Sequence, residues 1–155
     1  MKRLLLAIFL LLPTAAFAEV RELTLSPTDV FALHGALNSI GTKERICKDG
    51  ANERPCKEEI KVPPGLSLII ALDLRALRGV IEDYQWAQRK AIGGSGYMER
   101  GSREEAEANF RLADLNRIPL KVTLSTFSAK ELDEAKVDIS PSTRAALLPI
   151  LDDAR

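Results

Sequence analysis

The only two cysteines of this 155-residue chain stand nine positions apart, in the segment ICKDGANERPC. Cys47 and Cys56 could bind a metal, exchange electrons or close a covalent loop. A catalytic redox pair favours the closer Cys-X-X-Cys spacing. A zinc site would need two more ligands, and the chain has a single histidine, His34. Asp49-Gly50 is a turn signal and Pro55 stiffens the return. We therefore predict a structural disulfide that stabilises the domain by roughly 2.5 to 3 kcal/mol.

The start of the chain, MKRLLLAIFLLLPTAAFAEV, has the order of a secretory signal peptide. Lys2 and Arg3 precede nine apolar residues, and the small residues Ala16 and Ala18 follow. This pattern predicts cleavage between Ala18 and Glu19, which would leave residues 19–155 as a single globular domain. The apolar run is shorter than the roughly 20 residues that span a bilayer. We expect an exported protein, periplasmic or secreted, with no membrane span after cleavage, and the oxidising surroundings favour the disulfide.

Charge in the predicted mature chain is nearly balanced. Removal of Lys2 and Arg3 from 22 basic residues leaves 20, against 22 acidic residues, so the net charge is −2. Such a chain has no electrostatic reason to bind nucleic acid. We expect the partner to be a protein or a cell-envelope component, and we make no prediction of oligomeric state.

Three residues are candidates for recognition: Trp86, Tyr97 and His34. Large amphipathic rings are favoured in binding patches. Trp86 falls off the apolar stripe of its predicted helix, whereas Tyr84 falls on the stripe and is expected in the core. His34 is expected at the edge of an apolar helix face, and a catalytic base is the alternative reading of it.

The remaining motifs do not assemble into a catalytic site. GGSG at residues 93–96 follows a helix and lacks the Lys-Ser/Thr of a phosphate-binding loop, so a helix connection is expected there. Glu82 and Asp83 are neighbours on a helix and point about 100° apart, which is unsuited to a glycosidase pair. Asp73 lies among apolar positions and is expected to be a structural or partner-facing charge. We predict no catalytic residues, no metal and no cofactor.

Hydrophobic spacing predicts an α+β domain that is mostly helical. A long helix of about 27 residues, from Leu66 to near Gly93, is expected to pack antiparallel on a second helix, Arg103–Arg117, through a stripe of Ala106, Phe110 and Ala113. A small sheet is expected from residues 20–25, 120–125 and 137–139, and a hairpin from Arg45–Cys47 and Glu59–Val62. Capping signals predict three shorter helices, which begin after Ser26, Ser128 and Ser140.

The order of elements resembles a group of small phage and prophage proteins of unknown function. The resemblance lies in LTLSPTDVFALHGALNSI, in VPPGLSLIIALDLRALRGVIEDYQWAQRKAI and in IPLKVTLSTFSAKELDEAKVDISPSTRAALLPIL. It covers most of residues 20–151 and implies a small helical or mixed domain with no assigned activity.

These observations favour an exported, non-enzymatic binding or assembly module. The alternative is a small cell-envelope enzyme, or an inhibitor of one, that uses His34 and carboxylates from distant segments. A cluster of His34 with two carboxylates in an open cleft would favour the enzyme. An exposed apolar patch near Trp86 would favour binding.

Overall fold

The computed structural model describes residues 18–49, 52–59, 61–93, 99–137 and 139–152. Helices predominate over strands, so the predicted α+β class is confirmed. In chain order the elements are β1 Val20–Leu25, α1 Pro27–Ser39, β2 Thr42–Asp49, β3 Asn52–Glu59, α2 Pro64–Ala91, α3 Arg103–Arg117, β4 Leu120–Ser125, α4 Ala129–Glu134 and α5 Pro141–Leu147.

The helix starts follow the local capping signals. Ser26 accepts a hydrogen bond from the backbone N–H of Asp29 at 3.2 Å, and Pro27 occupies the first turn of α1. Ser128 and Glu131 form a complete capping box at α4. Each cap satisfies an N–H group that has no partner within the helix, which is why these helix starts could be predicted closely.

One sheet consists of β1 and β4, which pair antiparallel from Val20 opposite Ser125 to Leu25 opposite Leu120. Alternation along the strands turns Val122 and Leu124 into the core. At the predicted third strand, residues 137–139, Val137 and Ile139 lie in no strand, and residue 138 lies outside the described residues. Phe127 instead forms an isolated parallel bridge with Leu151.

The core lies between α1, α2, the β1–β4 sheet and the chain that follows α5. Helix α2 packs against both α1 and β4, and α5 packs against α1. The side chains with the least exposure are aliphatic, as the scarcity of aromatic residues predicts: Leu33, Leu37, Ile40, Leu77, Leu124, Leu132, Leu147, Ile150 and Val30.

Helix α3 presents a different face to the body from the predicted one. Ala108 is fully buried, whereas Ala106 and Ala113 are exposed and Phe110 is 67% exposed. Asn116 accepts a hydrogen bond from the Tyr84 hydroxyl, and Arg111 Nε donates to the carbonyl of Ala91 at 2.8 Å. These bonds hold α3 against the end of α2 with the small Ala108 inward. Antiparallel packing of the two whole helices stays a prediction.

The strands β2 and β3 form a hairpin, in which Thr42 pairs with Glu59 and Asp49 pairs with Asn52. The second predicted strand, Glu59–Val62, was misplaced, because β3 runs from Asn52 to Glu59. The pairing of Asp49 with Asn52 leaves two connecting residues, 50 and 51, which lie outside the described residues. A two-residue connection fixes the register of a hairpin, and Pro55 therefore falls within β3 instead of on a loop.

Candidate functional site

The disulfide between Cys47 and Cys56 is present, with the two Cα atoms 5.8 Å apart. The prediction is confirmed, and no free cysteine is left. Cys47 pairs with Arg54 in the hairpin register and Cys56 pairs with Arg45. The bridge therefore joins diagonal neighbours across β2 and β3, near the middle of the hairpin.

The hairpin stands apart from the rest of the protein as an arm, defined here as residues 42–59. Besides the contacts between its own strands, the only described element with which it makes more than marginal contact is α1, which directly precedes it. Cys47, Arg54 and Glu58 are all exposed. A two-stranded hairpin is marginally stable in water by itself, so the disulfide supplies the order that packing on the body does not.

The strands of the arm consist largely of charged residues, and several of these stand opposite a residue of the other sign in the neighbouring strand. Residues of opposite charge occupy directly opposite register positions, an arrangement that stabilises antiparallel pairs. The pairs are Lys43 with Glu58, Glu44 with Lys57, and Lys48 with Glu53. Oppositely charged residue types therefore recur at facing positions along both strands of the arm. Sequence reasoning missed most of it because charged strands lack the apolar alternation that marks a half-buried strand.

Trp86 lies on the outside of α2 and is 60% exposed. Lys90 Nζ lies 5.2 Å from the centre of its ring, a cation–π contact. Tyr84, two residues earlier and so on the opposite side of α2, is buried and meets Phe31 edge to face at 5.9 Å between ring centroids. Tyr97 lies outside the described residues.

His34 is half-buried on α1. Asn38 Nδ2 lies 3.2 Å from its Nδ1 atom, one helical turn away. Across the described part of the chain, no three His, Cys, Asp or Glu side chains converge in a way that could hold a metal ion. The position of His34 is that of a histidine at the edge of an apolar face, with a neutral amide as its neighbour.

Asp73 is the buried carboxylate of the protein's centre, with 2% of its surface exposed. Its Oδ1 atom accepts a hydrogen bond from the backbone N–H of Ser125 at 2.9 Å, and its Oδ2 atom has no partner. Burial raises the pKa of Asp73 from 3.8 to about 6, against the opposing effect of the bonds from Ser125. Of the two roles expected for it, structural or partner-facing, its burial and its bond to Ser125 favour the structural one.

A cleft of about 340 Å³ opens beside the start of β1. The carboxylates of Glu131, Glu134 and Asp152 line it together with Glu19 and Lys130. Asp152 lies 3.6 Å from the guanidinium of Arg21, and Glu131 caps α4, so both already have structural partners. Sequence reasoning could not find this cleft, because its walls come from segments that are far apart along the chain.

No family model matches this chain, and neither a curated protein nor a solved structure matches it. The resemblance to small phage proteins therefore stays a prediction. Within the described residues, no helix has both the length and the apolar character needed to cross a membrane.

Proposed function

We propose that this protein is an exported, non-enzymatic binding module and that its disulfide-closed arm contacts the partner. The partner is another protein or a component of the cell envelope. The observation that carries the proposal is the arm itself: residues 42–59 stand away from the body and are cross-linked at Cys47 and Cys56.

Two features support export. The basic start, apolar run and Ala-X-Ala order at residues 2–18 are those of a signal peptide. A disulfide persists in oxidising compartments and is rare in the cytosol. Cleavage after Ala18 would leave the strand β1 whole, because it begins at Val20.

The physical argument for binding is preorganisation. A flexible loop loses conformational freedom when a partner orders it, and this loss weakens affinity. A cross-linked hairpin has lost that freedom before it binds. A body of this size gains little from a cross-link in a segment that scarcely touches it, so ordering the arm for contact is the simpler reason to have the bridge.

The geometry of the other candidate residues also favours binding over catalysis. His34 has the Asn38 amide as its neighbour. Asp73 is buried and accepts a hydrogen bond from Ser125, the last residue of β4. Trp86, by contrast, is exposed, as are Leu68 and Leu72 on the same helix. An inhibitor of a cell-envelope enzyme is a second candidate, since a rigid projecting hairpin is suited to entering another protein's cleft.

A comparison of charge variants tests the proposal. The mature oxidised protein, residues 19–155, is immobilised and exposed to envelope extract from the native host. Reversal of an exposed arm charge, Arg54→Glu, is compared with reversal of an exposed body charge on α5, Arg144→Glu. We expect saturable capture of a partner that Arg54→Glu weakens by about tenfold or more and that Arg144→Glu leaves unchanged. Equal capture by both variants would overturn the proposal.

A further inference from the structure

The side of α2 that faces away from the core carries an unpartnered apolar surface, here called the outer face: Leu68, Leu72, Gly79 and Trp86. The side chains of Leu68, Leu72 and Trp86 are 62%, 52% and 60% exposed. Their spacing of four, seven and seven residues keeps them on one side of a helix over about 27 Å. The buried residues of α2, among them Leu66, Leu77 and Tyr84, lie on the opposite side.

Gly79 at the centre of the outer face has no explanation within the chain. Glycine is unfavourable in the interior of a helix, and it is usually retained there for close approach of another backbone. A Cβ atom added to Gly79 would meet nothing within 4 Å. No residue in the described ranges occupies the space above Gly79, so the helix backbone is open to a neighbour at this point.

The sequence around Gly79 is complementary to itself when reversed. If a second copy of α2 lies antiparallel with Gly79 on the twofold axis, each residue before Gly79 meets the residue equally far after it. Leu72 then faces the Trp86 position, seven residues away on either side. Arg75 faces the Asp83 position, four residues away on either side. Each contact occurs twice, as twofold symmetry requires.

The charges distinguish this arrangement from a parallel one. Arg75 and Asp83 are both exposed, and neither forms an ion pair with any residue in the described ranges. In a parallel pair of helices in register, Arg75 would face Arg75 and Asp83 would face Asp83, which is repulsive. Only the antiparallel pairing brings opposite charges together beside the apolar contacts.

We infer that the outer face of α2 binds a second copy of this chain, in a twofold dimer whose antiparallel α2 helices cross at Gly79. The contacts of Leu72 with Trp86 remove both side chains from water, and the two pairs of Arg75 with Asp83 set the direction and register. A contact built on one helix from each chain is small, so we expect a dimer that dissociates on dilution. The inference concerns a different surface from the arm and does not depend on the proposed function.

Charge reversal tests the pairing. Arg75→Asp and Asp83→Arg each replace two attractive contacts by two repulsive ones, and each is expected to weaken self-association by about tenfold or more in sedimentation equilibrium of the mature oxidised protein. An equal mixture of the two variants restores both attractive contacts, so heterodimers should form with close to the wild-type affinity. Arg78→Asp, an exposed reversal on a neighbouring side of the same helix, is the matched control and should have no effect.

A steric variant tests the close approach at Gly79. Gly79→Leu favours the helix and has free space in one chain, so the monomer should keep or raise its melting temperature while dimerisation is lost. A loose apolar contact would instead be strengthened by the added leucine. The inference is overturned if the wild-type protein stays monomeric at its solubility limit, if Arg78→Asp acts like the other reversals, if the mixed variants fail to associate, or if Gly79→Leu associates more tightly.

Discussion

Asp73 shows how one buried residue connects two distant parts of the chain. The backbone N–H of Thr126 donates to the carbonyl of Glu19, on the β1 side of β4. Successive N–H groups of a strand point to opposite edges, so that of Ser125 points to the open edge, where Asp73 accepts it. The carboxylate thereby satisfies a donor that no strand pairs, at the cost of burying an ionisable group.

The raised pKa of Asp73 predicts how the free energy of unfolding depends on pH. Its folded pKa of about 6 is above the unfolded value of 3.8, so the folded state holds more protons between these values. The contribution of Asp73 to stability is fully present below pH 3.8 and is lost as pH rises through about 6. The change corresponds to up to about 3 kcal/mol in the free energy of unfolding.

Asp73→Asn keeps an acceptor for Ser125 and removes the titration. Urea denaturation of wild-type and variant protein over this pH range should show the wild type losing free energy of unfolding relative to the variant as pH rises. Parallel pH profiles for the two proteins would show that Asp73 does not titrate as its burial requires.

Asp73 also shows what the sequence could and could not predict about a single residue. Its spacing from Ile70 and Ala76 placed it on the apolar side of a helix, and its structural role followed from that. The partner could not be predicted, because Ser125 lies 52 residues further along the chain. Phe110 marks the limit in the other direction, since helical periodicity predicted that its stripe faces the body, whereas the structure buries Ala108, two residues away and nearly opposite on α3.

Among the elements, those with local signals were predicted well and the arm was not. The bounds of β1, α3 and β4 follow from alternation, caps and prolines that lie within a few residues of each end. The arm is a two-stranded hairpin closed by one disulfide, and its length becomes apparent only from the register. The sequence predicted that the bridge stabilises the whole domain; from the position of the arm we expect its main effect to be on the order of the strands β2 and β3.

Removal of the bridge should therefore act locally. In Cys47→Ser/Cys56→Ser we expect faster amide hydrogen exchange in β2 and β3, by an amount that corresponds to roughly 2.5 to 3 kcal/mol of loop-closure free energy. Exchange in α1 and α2, and the melting temperature of the body, should change little, because the arm scarcely packs on them. A large fall in the melting temperature with uniform loss of protection would show instead that the arm and the core unfold together.

At the scale of the whole molecule, the protein consists of an aliphatic body with two separate exposed features. The arm continues from the end of α1, and the outer face of α2 lies on the side of that helix away from the core. A dimer formed through the outer faces would present two arms, and paired arms would raise the apparent affinity for a partner with repeated sites. Neither feature could be located from composition or net charge, because both depend on which faces the body leaves uncovered.

Site-specific photo-crosslinking in the native host tests the role of the arm most directly. A photoreactive amino acid replaces Arg54 on the arm or, as the control, Thr123 on β4; both positions are exposed. On irradiation we expect a discrete covalent adduct from position 54 that is absent from position 123 and is diminished when the arm also carries Cys47→Ser and Cys56→Ser. No adduct from position 54, or an equal adduct from both positions, would contradict the proposal that this protein binds a partner through the disulfide-closed arm.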